Sequence, residues 1–130
     1  MADGDQLVIG KVASGEVATE NSNATTLCSY TPPADCSVFL RGRVIAQRDT
    51  PAADCFGAEV MAVANVSGTT CTVQGTGTPT DLEVDDNATG WVVTFDASGQ
   101  AARLRVTGSL SENVQWAGSI ELVQVEATVA

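Results

Sequence analysis

The chain has 130 residues, with sixteen acids, six bases and no histidine, for a formal charge of −10. That charge repels nucleic-acid phosphates and anionic lipid headgroups, so neither nucleic acid nor a membrane surface is an expected partner. Without histidine the Ser-His-Asp and Cys-His arrangements are excluded, and no stretch approaches the length of a membrane span.

The size suits one domain that buries about two-thirds of its extended surface. Val and Ala dominate the apolar content and Thr is frequent. Gly and short polar clusters recur at roughly ten-residue spacing, which is the composition of an all-β protein.

Residues 1–24 open with the apolar patch Leu7-Val8-Ile9 and thin into small and polar residues interrupted by Gly10 and Gly15. They read as an N-terminal arm whose patch can join its own sheet or the sheet edge of a neighbouring chain. Met1 to Gln6 contains neither a basic region nor an apolar run of signal-peptide length, so synthesis in a cytoplasm is expected. Residues 25–130 read as a β-sandwich domain.

Thr25 to Tyr30 is the first strand of that domain, stopped by Pro32-Pro33, since successive prolines cannot donate to a ladder. Cys36 to Arg48 alternates over a longer run. Val38, Leu40, Val44 and Ala46 share one face, and Ser37, Arg41, Arg43 and Gln47 share the other. Phe39 and Ile45 break the polarity of that second face, which calls for a cover there: a second sheet or a second subunit. After the turn-rich Asp49 to Asp54, Cys55 to Val66 returns with Phe56, Ala58, Val60, Ala62, Ala64 and Val66 in phase. A simple hairpin would set Arg48 opposite Cys55 and Arg43 opposite Val60.

Thr69 to Gly75 and Thr80 to Val84 are further short strands. Three period-2 segments follow, Gly90 to Asp96, Ala102 to Gly108 and Val114 to Val125. Trp91, Val93 and Phe95 share a face, as do Ala102, Leu104 and Val106, and as do Val114, Trp116, Ile120 and Leu122. Their short connectors predict an antiparallel meander. The total is eight or nine strands and no amphipathic helix, which predicts a two-sheet antiparallel β-sandwich of jelly-roll-like type.

Candidate chemistry is sparse. Four cysteines at 28, 36, 55 and 71 lack the spacing of a zinc site, and buried thiols are the ordinary state for a cytoplasmic product. The alternative is a disulfide between Cys28 and Cys36, which flank the turn Tyr30 to Asp35, formed late in an oxidising medium. Asp81, Glu83, Asp85 and Asp86 crowd one edge without a calcium-loop spacing, as a solvated acidic edge does. Arg41, Arg43, Arg103 and Arg105 lie on the polar faces of two strands. They are placed either to bind carboxylates of a neighbouring subunit or to pair within the chain. The triplets at Asn23, Asn65 and Asn87 match the glycosylation pattern, and in a Thr-rich chain chance accounts for them.

Three motifs stand together in the C-terminal third: Gly90-Trp91-x-Val93-x-Phe95, Ala102-x-Leu104-x-Val106-Thr107-Gly108, and Val114-x-Trp116-x-Gly118-x-Ile120-Glu121-Leu122. With Arg43-Val44-Ile45-Ala46-Gln47-Arg48 and the opening Gly4-Asp5-x-Leu7-x-Ile9-Gly10, they resemble a β-sandwich domain of tailed-bacteriophage virion proteins. Such domains occur as small capsid-decorating proteins and as terminal domains of tail fibres, often trimeric. The chain has no coiled-coil stem, which favours the decoration role.

The resemblance therefore implies a non-enzymatic capsid decoration or cement protein on the exterior of a phage head, without a cofactor. Its implied partners are the major capsid protein and copies of itself, as a homotrimer. Leu7, Val8, Ile9, Arg41, Arg43, Arg103 and Arg105 are the expected contact residues. The alternative is a tail-fibre or head-fibre tip that binds a host surface receptor.

Overall fold

A computed structural model describes residues 8–49, 55–76, 80–84 and 91–126, with side chains at 12–49, 55–74 and 91–125. It is all-β, with nine strands: β1 (Val8–Thr19), β2 (Thr25–Tyr30), β3 (Cys36–Arg48), β4 (Cys55–Ser67), β5 (Thr70–Thr76), β6 (Thr80–Val84), β7 (Val92–Ser98), β8 (Ala101–Thr107) and β9 (Val114–Glu126). They form two antiparallel sheets. The larger runs β1-β9-β3-β4, with β5 and β6 sharing the far edge of β4, and the smaller runs β2-β8-β7.

The alternation in the sequence becomes the core directly. Val38, Leu40, Val44 and Ala46 of β3 are buried, as are the six in-phase residues of β4. Across from them lie Phe95, Leu104 and Val106 of the smaller sheet, also buried. The two tryptophans and Phe56 form one aromatic cluster, with ring centroids 5.7–6.2 Å apart and tilted planes, an arrangement that suits the ring quadrupoles. Each indole N–H has an acceptor: Trp116 Nε1 donates to Thr19 Oγ1 at 2.9 Å, and Trp91 Nε1 to Glu112 Oε1 at 3.1 Å. Tyr30 likewise donates its hydroxyl to buried Gln124 Oε1 at 2.6 Å. These polar atoms at the core thus each have a partner, as burial requires, and Tyr30–Gln124 joins the two sheets.

Two hairpins close as their glycines dictate. Ser67 pairs with Thr70 around Gly68-Thr69, and Ser98 pairs with Ala101 around Gly99-Gln100. Gly68 and Gly99 have φ of 61° and 59°, which is the first central position of a type II′ turn. Gly42 has another role. It lies in the middle of β3 facing the smaller sheet, where a Cβ would stand 2.7 Å from Leu104 Cδ1 and 3.1 Å from Phe95 Cζ. The sheets approach closely there, as they do at Gly15, where a Cβ would meet the Leu27 carbonyl of β2.

From Val8 on, the N-terminal segment takes one of its two expected places, its own sheet: it is strand β1, paired with β9 from Val8–Gln124 to Thr19–Val114 with one bulge between Lys11 and Ala13. Several expectations are corrected by this topology. The C-terminal meander holds only for β7 and β8. β9 crosses to the larger sheet and fits between β1 and β3. The crossing segment is fastened at both sides, by Ser111 N–H to Glu20 O at 3.0 Å and Asp49 N–H to Asn113 O at 2.9 Å.

The β3–β4 register differs by one residue from the simple hairpin: Gln47 faces Cys55 and Arg43 faces Glu59. Parity explains it, because pairing Arg43 with Val60 would turn the apolar face of one strand outward. No disulfide joins Cys28 and Cys36. The turn between them carries the chain from the smaller sheet to the larger instead of folding it back, so each thiol is buried on a different sheet. The nested pairs β1·β9 and β2·β8 are the jelly-roll element of the fold. The consecutive hairpins β3–β4–β5 depart from it.

Two outcomes follow from the packing. Gly42→Ala is expected to lower stability by about 1–3 kcal/mol, since Leu104 and Phe95 must move to admit the methyl group; urea unfolding followed by tryptophan fluorescence measures it, and an unchanged midpoint would contradict the close approach. Burial also raises the thiol pKa of Cys28 and Cys71, leaving little thiolate at neutral pH. Partly exposed Cys55 is therefore expected to alkylate first in the native protein, with Cys28 and Cys71 reacting only on unfolding. Mass-spectrometric mapping after brief iodoacetamide treatment reads that order.

Candidate functional site

The outward face of β9, β3 and β4 is where apolar residues reach solvent. In these strands the residues not used by the core are Phe39 and Ile45 on β3, Val63 on β4, and Val123 and Val125 on β9, all exposed. Register arranges them in cross-strand rows. Phe39 has Val63 on one side and Val123 on the other. Six residues along β3, Ile45 has Gly57 on one side and Ala117 on the other. Because those neighbours are small, Ile45 stands 59 % exposed between two open hollows of about 730 and 300 Å³. Among the described residues none covers this face, so the cover anticipated for Phe39 and Ile45 is not supplied by the second sheet.

Between the two rows runs an ionic strip. Arg43 Nε lies 3.2 Å from Glu59 Oε2, its Nη1 lies 3.3 Å from Glu121 Oε1, and Arg41 Nε is 3.7 Å from Glu59 Oε2. These side chains are a third to a half exposed, so each pair stabilises the fold by no more than about 1 kcal/mol. Their consequence is electrostatic. Two arginines and two glutamates leave this strip neutral in a protein of charge −10.

The other two arginines are engaged within the smaller sheet. Arg103 makes a two-point contact with Asp96 at 2.7 and 2.9 Å. Its pKa is held above the usual arginine value, chiefly by that hydrogen bond. Arg105 donates to Thr26 Oγ1 at 3.1 Å and to Ala24 O at 3.2 Å. Arg103 and Arg105 thus tie β8 to β7 and to the start of β2, on the opposite side of the sandwich from Arg41 and Arg43. The structure does not gather the four arginines into one site.

Of the N-terminal patch, Val8 and Ile9 open β1, opposite Gln124 and Val123, and Leu7 lies outside the described residues. Among the described residues β1 pairs only with β9, so its other side is an edge of the larger sheet. Asp81 and Glu83 belong to β6, whereas Asp85 and Asp86 lie outside the described residues. Asn65 is held by Ser37 Oγ at 3.0 Å and half-buried, a structural use of its amide. Asn23 sits in an exposed turn, and Asn87 is outside the described residues.

Sequence reasoning missed Glu59, Glu121, Val63 and Val123 as members of the exposed face. The signal for the two valines was the same as for Phe39 and Ile45, an apolar residue in the polar phase of a strand. Glu112 was also missed. It accepts from Trp91 and stands 3.2 Å from Arg48, sealing one end of the sandwich.

No protein-family model matches the sequence, and no curated protein matches it. Among solved structures, the chain is similar to the tailspike protein of Acinetobacter baumannii phage AM24, with a TM-score of 0.51 and 12 % identity. The match covers 95 % of this chain and 27 % of the tailspike, so the chain spans about a quarter of that protein's length. At that identity the likeness is one of fold.

Proposed function

We infer that the chain is a structural protein of a tailed-bacteriophage virion, and that it acts as a capsid decoration protein on the outside of the head. The observation that carries this reading is the outer face of β9, β3 and β4, which no described residue covers: two apolar rows with a charge-balanced strip between them, on an otherwise acidic sandwich. Exposed apolar surface of this kind belongs to contacts between proteins. A rigid antiparallel sheet offering it works by cohesion, through buried area, and not by turning over a substrate. The fold likeness to a phage tailspike supports the virion setting. The partner in this reading is the head shell, whose major capsid protein the β1 edge would grip.

A second reading has its own support in the same likeness. The neighbour is a tailspike, and this chain matches only 27 % of it, as a domain of a receptor-binding spike or fibre would. In that case the partner is a host surface receptor.

Purified protein mixed with undecorated heads of its phage and pelleted distinguishes the two. Saturable co-sedimentation, with heads that better survive heating or low salt, is the expected outcome. Protein that stays in the supernatant with heads but binds host cells or tail preparations would overturn the decoration role and establish the fibre reading.

A further inference from the structure

We propose that the outer face of the larger sheet docks on the same face of a second copy, as a two-fold dimer of sandwiches. This deepens the reading of that face as a contact surface and names its partner. The rows of the face are symmetric about the line Gly42, Val60 and Ile120, which are paired across β3, β4 and β9. Three residues to one side along each strand lie Phe39, Val63 and Val123; three residues to the other side lie Ile45, Gly57 and Ala117.

A two-fold axis lying between the faces, perpendicular to the strands, exchanges these rows. Phe39 of each copy then stands over Ile45 of the other, with Val63 over the Gly57 hollow and Val123 over Ala117. The row of larger side chains meets the row of smaller ones twice in the same interface. A flat, self-complementary apolar pattern is what an isologous contact requires.

Charge points to the same occupant. Two copies carrying −10 each repel one another through most surfaces. Over β9, β3 and β4 the strip of Arg41, Arg43, Glu59 and Glu121 is neutral: Arg41 of each copy stands over Arg43 of the other, with Glu59 and Glu121 on the adjacent strands to balance them, and Glu16 of β1 lies at the margin beside Ala117. The area is also sufficient. Three strands at about 4.8 Å spacing and eleven residues at about 3.4 Å give roughly 540 Å² per copy. The total of about 1,100 Å² clears the roughly 1,000 Å² expected of a biological contact. A three-fold ring, the assembly implied by the phage resemblance, cannot be built from a face that meets itself.

The test uses the full chain and two surface variants, Phe39→Glu and Ile45→Arg, with light scattering or sedimentation equilibrium to read the mass. The native protein is expected at the mass of two chains. Each variant alone is expected to weaken the dimer at least about tenfold, because the altered side chain occurs in both halves of the contact. An equimolar mixture of the two is expected to regain the dimer, since one half then opposes carboxylate and guanidinium while the other keeps Phe39 over Ile45.

Both positions are exposed, and unchanged tryptophan fluorescence shows that the variants fold. A monomeric native protein, a trimeric mass, or variants that each dimerise as the native chain does would overturn the proposal. So would a mixture that stays monomeric, because it breaks the required register. The assay contains no heads, so its outcome is independent of whether the protein binds them.

Discussion

The fold depends on β9 being hydrogen-bonded along both of its sides. It pairs with β1 from Val114 to Gln124 and with β3 from Val114 to Glu126, joining the first described segment of the chain to the middle. Its alternate residues Val114, Trp116, Ile120 and Leu122 are buried, and they supply the floor against which the smaller sheet packs. Trp116 reaches Thr19 of β1 on one side and the rings of Phe56 and Trp91 on the other. Withdraw this strand and the larger sheet separates into an unpaired β1 and the β3–β4–β5 hairpins. The aromatic cluster loses its centre at the same time.

The two faces of that sheet have different work. The inner face is graded in size, with Gly42, Ala58 and Ala62 accepting the larger Phe95 and Leu104 opposite. Its packing is a jigsaw of small against large residues, in which volume matters at the level of a methyl group. The outer face repeats small against large along its own length, but none of the described residues meets it. Acidic residues are spread over the molecule, while the two exposed arginines of β3 are kept with Glu59 and Glu121 on this one face. The smaller sheet shows the contrasting solution. There Arg103 and Arg105 are spent on Asp96, Thr26 and Ala24 O within the chain, and the surface is self-contained.

Which residues face inward was legible in the sequence, because a period of two records burial residue by residue. Every in-phase residue assigned to the core of β3, β4, β7, β8 and β9 is buried. Which sheet a strand joins was not legible. Periodicity says nothing of partners, and the connector Ser109 to Asn113 is as short as a hairpin loop although it spans the sandwich. The β3–β4 register required only a consistent parity, which Arg43 opposite Glu59 satisfies and Arg43 opposite Val60 violates. Phe39 and Ile45 announced the outer face as misfits in a polar phase, and their cross-strand neighbours became visible only with the register. Glu112 had no local signal, since its role depends on Arg48 and Trp91, brought to it by different strands.

The nesting of β1·β9 and β2·β8 also carries a kinetic consequence. Both sheets are assembled from segments far apart in the chain, so few native contacts reward early loop closure, and topologies of this kind fold slowly. While the chain emerges from a ribosome, β3 and β4 can form their hairpin, but the side of β3 that β9 will occupy stays open until the end of the sandwich is made. An unpaired strand of thirteen residues is a template for pairing with another nascent chain. That hazard rises with the local concentration of nascent chains, and the formal charge of −10 opposes their encounter until β9 closes the sheet.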